Sequence, residues 1–219
     1  MNTEEKVLVV ERKVIEQVGM FEGLMFDVKP YFERIFARDV PRFMTRSAAE
    51  KNPDFKQLIP YVIMVYNGTY LSYVRGKRAG EKRLVGNRSI GIGGHIDPPD
   101  DMPLFDVDYF ATYLRAVERE VDEEVSVKSS RTDHIAALLN DESNEVGSVH
   151  LGVVHYWDLA EANVEKREQM ITQLGFMTAG ELHEVRESLE SWSAICVDNI
   201  EKIEQAKTSG LDADTFSAG

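Results

Sequence analysis

The chain has 219 residues and a formal net charge of −13, which argues against binding to nucleic-acid backbone, since that needs a basic surface. Hydrophobic content of 43% and charged content of 29% are those of a globular protein with a core of ordinary size, as one large domain or one domain with an extension. Cys196 is the one cysteine, which excludes an internal disulfide and a CxxC metal site.

In chain order, Lys6 to Val10 reads as a short strand. Val14 to Val18 is a second strand or a helical turn, and Phe21 to Leu24 a turn. Pro30 can start a short helix with Tyr31, Phe32, Ile35 and Phe36 on its buried side. Arg46 and Glu50 stand at i,i+4, most simply a local ion pair. Residues 1–58 show no chemistry by themselves; an added subdomain or a wall of a pocket is expected. Ile59 to Tyr66, then Asn67-Gly68, then Thr69 to Val74 is the strongest hairpin signal in the chain. Arg75, Lys77, Arg78, Lys82, Arg83 and Arg88 follow within a short span. Either this is a solvated basic loop or it clamps phosphate, to which Arg is suited by its bidentate geometry. Arg88 is the first choice for a clamp and Arg75 the second.

Ser89 to Ile96 looks like a strand running into the pair Gly93-Gly94, then an acidic, Pro-rich turn. Glycines at a strand end let backbone approach a ligand closely. The helix expected next starts near Asp106 to Asp108, after a loop from Asp101 to Asp106. At about 100° per residue, Phe110, Leu114, Val117, Val121 and Val125 form its core stripe. Glu120, Glu123 and Glu124 fall on one flank, with Arg115 and Arg119 on the outer side. Like charges so placed cost a helix stability, and a hard divalent cation such as Mg²⁺ or Mn²⁺ reverses that cost. A solvated acidic face is the alternative for the helix alone.

Next, His134 to Leu139 and Ser148 to Leu159 read as an antiparallel pair. Its turn carries Asp141, Glu142 and Glu145, most simply solvated. His150 and His155 are five positions apart and face opposite sides of the strand. Glu161 to Gln173 reads as a polar helix and Gly175 to Thr178 as a short strand or turn. Thr178 and Glu181 make a capping box for a helix to about Ser191. A last helix is expected from Trp192 to about Ala206.

The stretch Arg119-Glu120-Val121-Asp122-Glu123-Glu124-Val125-Ser126-Val127, with Gly94 upstream, resembles the Nudix box. That pattern is Gly, five residues, Glu, seven residues, then Arg-Glu-U-x-Glu-Glu-x-Gly-U, with U a bulky aliphatic. Asp100 stands where the first Glu is expected, eleven extra residues precede Arg119, and Ser126 replaces the closing glycine. More loosely, the chain is similar to a bacterial group of predicted MutT-type phosphoesterases. The resemblance implies an α/β Nudix fold, a mixed β-sheet sandwiched between α-helices. Its implied boundaries are an extension at 1–58, packed in the same domain or beside it, a Nudix-like domain at 59–208 and a loose tail at 209–219.

The resemblance also implies divalent-metal-dependent hydrolysis of a diphosphate linkage in a nucleoside diphosphate derivative or related phosphorylated small molecule, with Mg²⁺ or Mn²⁺. Glu120, Glu123, Glu124 and Asp100 are its implied metal ligands. Glu120 and Glu123 are also the candidate proton acceptors, Arg119 orients a carboxylate, and Gly93 and Gly94 shape the loop beside the metal. The alternative is a Nudix-fold binding or regulatory module without turnover. No secretory-type leader and no apolar run of membrane-spanning length is seen, so a cytoplasmic protein with no membrane partner is expected. Self-association as a homodimer is left open.

Overall fold

The computed structural model describes residues 4–76, 86–98, 107–169 and 171–213. The expected loop at 101–106, Asp100, and Lys77, Arg78, Lys82 and Arg83 of the basic span lie outside the described residues. In chain order the elements are β1 (Lys6–Glu11), α1 (Arg12–Val18), β2 (Gly23–Met25), α2 (Lys29–Ile35), β3 (Arg42–Thr45), α3 (Arg46–Ala49), β4 (Phe55–Tyr66) and β5 (Thr69–Arg75). Then come β6 (Arg88–Ser89), β7 (Gly91–Ile92), α4 (Tyr109–Glu124), β8 (Val125–Val127), β9 (Arg131–Asn140) and β10 (His150–Leu159). The chain continues with β11 (Val164–Lys166), β12 (Ile171–Thr178), α5 (Ala179–Glu184), α6 (Ser191–Asp198), α7 (Ile200–Ser209) and β13 (Leu211–Asp212).

The sheet is organised on β4. Along one edge β4 pairs in parallel with β10, from Gln57↔His150 to Val65↔Asp158. Its other edge is shared by β1 near Gln57, β7 near Val62 and β5 near Val65. Pro60, which has no N–H to donate, lies between the β1 and β7 stretches of that edge. The order β12-β5-β4-β10-β9-β13 completes a mixed sheet, with β2 also on β9. Asn67 and Gly68 close the β4–β5 hairpin with φ of 47° and 71°, the positive pair that a two-residue turn of matching twist needs.

Strand alternation gives the sheet two apolar faces. Leu58, Val62, Met64, Leu71 and Val153 pack against Phe32, Ile35, Phe110, Val117 and Val121 of α2 and α4. Ile63, Val65, Tyr70 and Val154 pack against Leu182, Val197 and Ile203 of α5, α6 and α7. The expected sheet between helices is therefore the observed architecture. No described helix is long and apolar enough to cross a membrane.

Several local expectations are met. Asp108 caps α4, accepting from Ala111 N at 2.8 Å, so the helix starts within a residue of the place expected. Thr178 and Glu181 form the capping box. The stretch from Val14 to Val18 belongs to a helix, and Arg46 bonds Glu50 at 2.9 Å.

Others are corrected. The polar stretch from Glu161 to Gln173 is not helical: Val164–Lys166 pairs with β8, and β12 starts at Ile171 against Arg75. Its helix-forming side chains are outweighed by sheet edges that need partners. The helix after Thr178 ends at Glu184, and the last helix breaks at Asn199, whose side chain donates to the Ile195 carbonyl at 3.0 Å. The tail is not loose from its start, because Leu211–Asp212 pairs with β9 and Ala213 is buried. The boundary between 58 and 59 falls inside β4. Ser126 causes no strain: α4 runs straight into extended backbone at Val125 (φ −138°, ψ 159°), so no left-handed cap is formed.

Candidate active site

The face of α4 turned to the sheet is set by Tyr113, Val117 and Val121, all buried, while Leu114 is only partly covered. Tyr113 is held at depth by its hydroxyl, 2.6 Å from His155 Nε2, and His155 Nδ1 lies 2.8 Å from Asp133 Oδ1. Helical geometry places Glu120 and Glu124 within about 40° of Tyr113 around the axis and Glu123 about 80° away. The first two carboxylates are therefore carried inward and the third outward. Glu120 is 13% exposed and Glu123 59%. This divides a trio that the helical wheel left together.

Arg119, 39% exposed, turns its head group back to the carboxylates. Its guanidinium reaches Glu120 Oε1 at 2.8 Å and Glu123 Oε1 at 3.0 Å, and donates to the His95 carbonyl at 3.0 Å. The acidic face is thus partly neutralised from within, and α4 is tied to the segment after the glycine pair. Gly94 lies against Glu120: a Cβ added to it would come 2.7 Å from Glu120 Cδ. Gly93 lies against β4, where a Cβ would come 2.7 Å from the Pro60 carbonyl carbon. Gly93 is required by the close approach of backbone, whereas Gly94 is met by the movable end of the Glu120 side chain. The same segment is fixed from the N-terminal side by Leu8 N donating to the Ile96 carbonyl at 2.9 Å.

Burial pushes Glu120 up to about 7, with Arg119 opposing and Glu123 and Asp97 adding. Burial likewise pushes Glu124 up to about 7, with Arg75 opposing and Glu168 and Glu120 adding. Glu124 as a residue is partly exposed, yet its Oε2 is shut off from solvent and has no hydrogen-bond partner. A buried, unpartnered carboxylate oxygen is costly unless a cation meets it. Hard oxygen donors suit Mg²⁺ or Mn²⁺, and Mg²⁺ commonly takes only one or two protein carboxylates, completing its shell with water and substrate phosphate. Among the described residues no three His, Cys, Asp or Glu side chains are grouped to hold a metal. Glu120 and Glu124 fit the two-carboxylate pattern.

Glu120 and Glu124 do not line the cleft of about 1180 Å³ that opens beyond Gly94, Glu120's neighbour; it is bounded by Gly91, Gly93, Gly94 and His95, the loop between β9 and β10, and the start of α6. Tyr61 and Trp192 meet edge to face in it, with ring centroids 5.7 Å apart. Arg75 lines it, ion-paired to Glu190 and 5.5 Å above the Tyr73 ring. Arg46 and Glu50 form another wall, so the N-terminal segment does supply part of the pocket.

Arg88 lies apart from the cleft. It is not among the cleft-lining residues; its guanidinium bonds Ser72 Oγ at 2.8 Å and Gln173 Oε1 at 3.1 Å. Arg88 pairs with Val74, and Val74 and Ser72 point to the sheet face opposite Tyr73 and Arg75. Strand parity, more than nearness in sequence to the glycine pair, sets where its side chain goes. Of the acidic turn, Glu145 lines the cleft, while Glu142 bonds the buried Lys56 at 2.6 Å and Asp141 accepts from Ser143 N at 3.1 Å. Sequence reasoning missed Arg46, Glu190, Trp192 and the meeting of His95 with His150. Only the i,i+4 spacing of Arg46 and Glu50 signalled any of these.

No family model matches the chain. Protein YmaB of Bacillus subtilis (strain 168) is 33% identical over 168 residues, covering 73% of this chain and 78% of that protein. Among solved structures, the crystal structure of Tm1382, described as a candidate Nudix hydrolase, is similar with a TM-score of 0.71 at 25% identity, over 90% of this chain and 98% of that one. DR0079 from Deinococcus radiodurans shares the fold at a TM-score of 0.50 and 13% identity, over 74% of this chain and 92% of that one.

Proposed function

The chain belongs to the Nudix (MutT-type) hydrolase superfamily, and from that premise we propose that it hydrolyses a diphosphate linkage in a nucleoside diphosphate derivative or related phosphorylated small molecule, with Mg²⁺ or Mn²⁺. The observation that carries this reading is the pair Glu120 and Glu124, both pushed to about 7, with Glu124 Oε2 buried and unpartnered. A divalent ion, when bound, neutralises phosphate charge and acidifies water for attack on phosphorus. Glu120 and Glu124 hold it, with Glu123 at the outer edge of the site, and Asp100 stays a candidate ligand. Arg119 fixes Glu120 and Glu123, and in this reading one of the two takes the proton of the attacking water. Gly93 and Gly94 let the loop lie close against Pro60 and Glu120 at the wall of the cleft, shaping it beside the candidate metal ligands. Among the described residues, Arg46, ion-paired to Glu5 and Glu50, and Arg75, ion-paired to Glu190, are the arginines on the cleft wall and the candidates to meet phosphate oxygens.

Hydrolysis of nucleotide sugars, dinucleotides and nucleoside triphosphates, read as the nucleoside monophosphate formed and separated by chromatography, with Mg²⁺ and Mn²⁺, tests the reading on wild type and Glu124→Gln. Wild type is expected to turn over at least one class. Glu124→Gln is expected to lose activity by about a hundredfold or more while its metal-free stability is equal or higher, since a buried charge has gone. Wild-type protein that binds neither ion would overturn the hydrolase reading. Metal binding without turnover on the whole panel would favour a regulatory module.

A further inference from the structure

One buried charge lies outside the chemistry described so far. Lys56, near the start of β4, is fully buried. An ammonium carries three protons to donate and accepts nothing. Its Nζ donates to Asn140 Oδ1 at 2.8 Å, to Glu142 Oε1 at 2.6 Å and to the Gly147 carbonyl at 3.2 Å. Asn140 ends β9, Glu142 follows in the loop, and Gly147 begins the turn into β10. One side chain therefore ties both ends of the β9–β10 loop together. Burial pulls the Lys56 ammonium below the usual lysine range, and Glu142 opposes that pull.

The loop is also pinned at its neck. The backbone of Gly147 lies so close to the Asp141 carbonyl that any side chain there would strike it. From outside, Arg12 Nη1 donates to Glu142 Oε2 at 3.1 Å, and Asn140 Nδ2 to the Phe21 carbonyl at 2.7 Å. The loop so held presents Asn144, Glu145, Val146 and Val149 to the cleft, and its Val146 carbonyl lies 2.6 Å from His150 Nδ1. Lys56 itself does not line the cleft. By strand parity it points to the sheet face opposite Ile59 and Tyr61, which do.

We propose that Lys56 is a positioning residue for the cleft: by fixing the β9–β10 loop it sets the affinity for substrate without touching substrate. Within the loop, Ser148 N donates to the Asn144 carbonyl at 3.0 Å and Val149 N to the Val146 carbonyl at 3.2 Å. These bonds are local and tie the loop to no strand, so its place beside the cleft rests on its anchors. Replacing the ammonium by an apolar group does not strand a bare charge, because Glu142 keeps Arg12. The loss falls on the acceptors of Asn140 and Gly147, at the two ends of the loop. The kinetic part of this inference rests on the hydrolase reading, and the loop part does not.

Amide hydrogen exchange and steady-state kinetics of Lys56→Met, on a panel substrate that wild type hydrolyses, provide the test. Protection is expected to fall by about tenfold or more at the amides of Ser143, Gly147, Ser148 and Val149, while the paired amides of β4 and β10 keep theirs. KM is expected to rise by about tenfold or more, with kcat within about threefold of wild type. Should Lys56→Met fail to fold, Glu142→Gln keeps an acceptor for the ammonium and removes its counter-charge. That variant is expected to show both changes in smaller degree, about threefold or more. Unchanged loop protection overturns the proposal, as does a loosened loop with unchanged KM. Protection lost throughout the sheet, with kcat falling as KM rises, overturns it too, by making Lys56 a support of the whole fold. Hydrogen exchange needs no turnover, so an inactive wild type counts against the hydrolase reading alone.

Discussion

Gly94 and Glu120 are packed so closely that the smallest side chain on one would displace the carboxylate of the other. The obstructing atoms are the far end of a flexible side chain, so the fold can absorb a methyl group by swinging Glu120 aside. Gly94→Ala is therefore expected to cost less than about 2 kcal/mol of stability. Misplacing a ligand is a different matter: Mg²⁺ affinity is expected to fall by about tenfold or more. Thermal unfolding and Mg²⁺ titration of the variant separate the two effects. A stable variant with unaltered Mg²⁺ affinity would show that Glu120 does not hold the ion.

Glu120 and Glu124 tie stability to pH. Both stand at about 7 in the folded chain against 4.5 for the free side chain, so between those values the folded state keeps protons that the unfolded state has released. Their contribution to stability is greatest below about 4.5, declines as pH rises toward about 7, and is level above it. A divalent ion binds the ionised forms and offsets that decline. The rise in Tm on adding Mg²⁺ is expected to be larger at about pH 8 than at about pH 5. A metal-induced rise that shrinks from the lower to the higher pH would contradict the assignment.

The arginines divide by the face they occupy. Arg46→Ala, on the cleft wall, is expected to raise KM by about tenfold through loss of a charge-assisted contact with substrate phosphate. Arg88→Ala, bonded to Ser72 and Gln173, is expected to leave KM alone and lower stability by about 1–3 kcal/mol. Steady-state kinetics and thermal unfolding of both variants check this, and a KM effect confined to Arg88→Ala would reverse the assignment.

What could be read from the sequence was mostly local. Asn67-Gly68 dictates its hairpin, Asp108 its helix start and Thr178 with Glu181 its capping box, because each rests on bonds within a few residues. Glu161 to Gln173 was misread as helix because its strands are decided by β8 and β5, far away in the chain. The box glutamates could be named from their spacing. Their division into two inward and one outward could not, because it depends on how Tyr113 seats α4 over His155. Arg46 on the cleft wall and the facing histidines depend on pairings made across the whole sheet, which no window of sequence contains.

The parallel pairing of β4 with β10 has a consequence for synthesis. Every other partner of β4 is either encoded before it or follows within a short stretch, while β10 emerges only after α4 and β9. Until then a long, apolar strand keeps one whole flank of amide and carbonyl groups without its native partner, and its face toward α5, α6 and α7 still lacks its covering helices. The growing chain thus passes through a stage in which its central template is complete but half dressed. The strand that ends that stage begins with His150, a wall residue of the cleft, so closing this flank of β4 also sets one wall of the cleft, and the start of α6 adds another later.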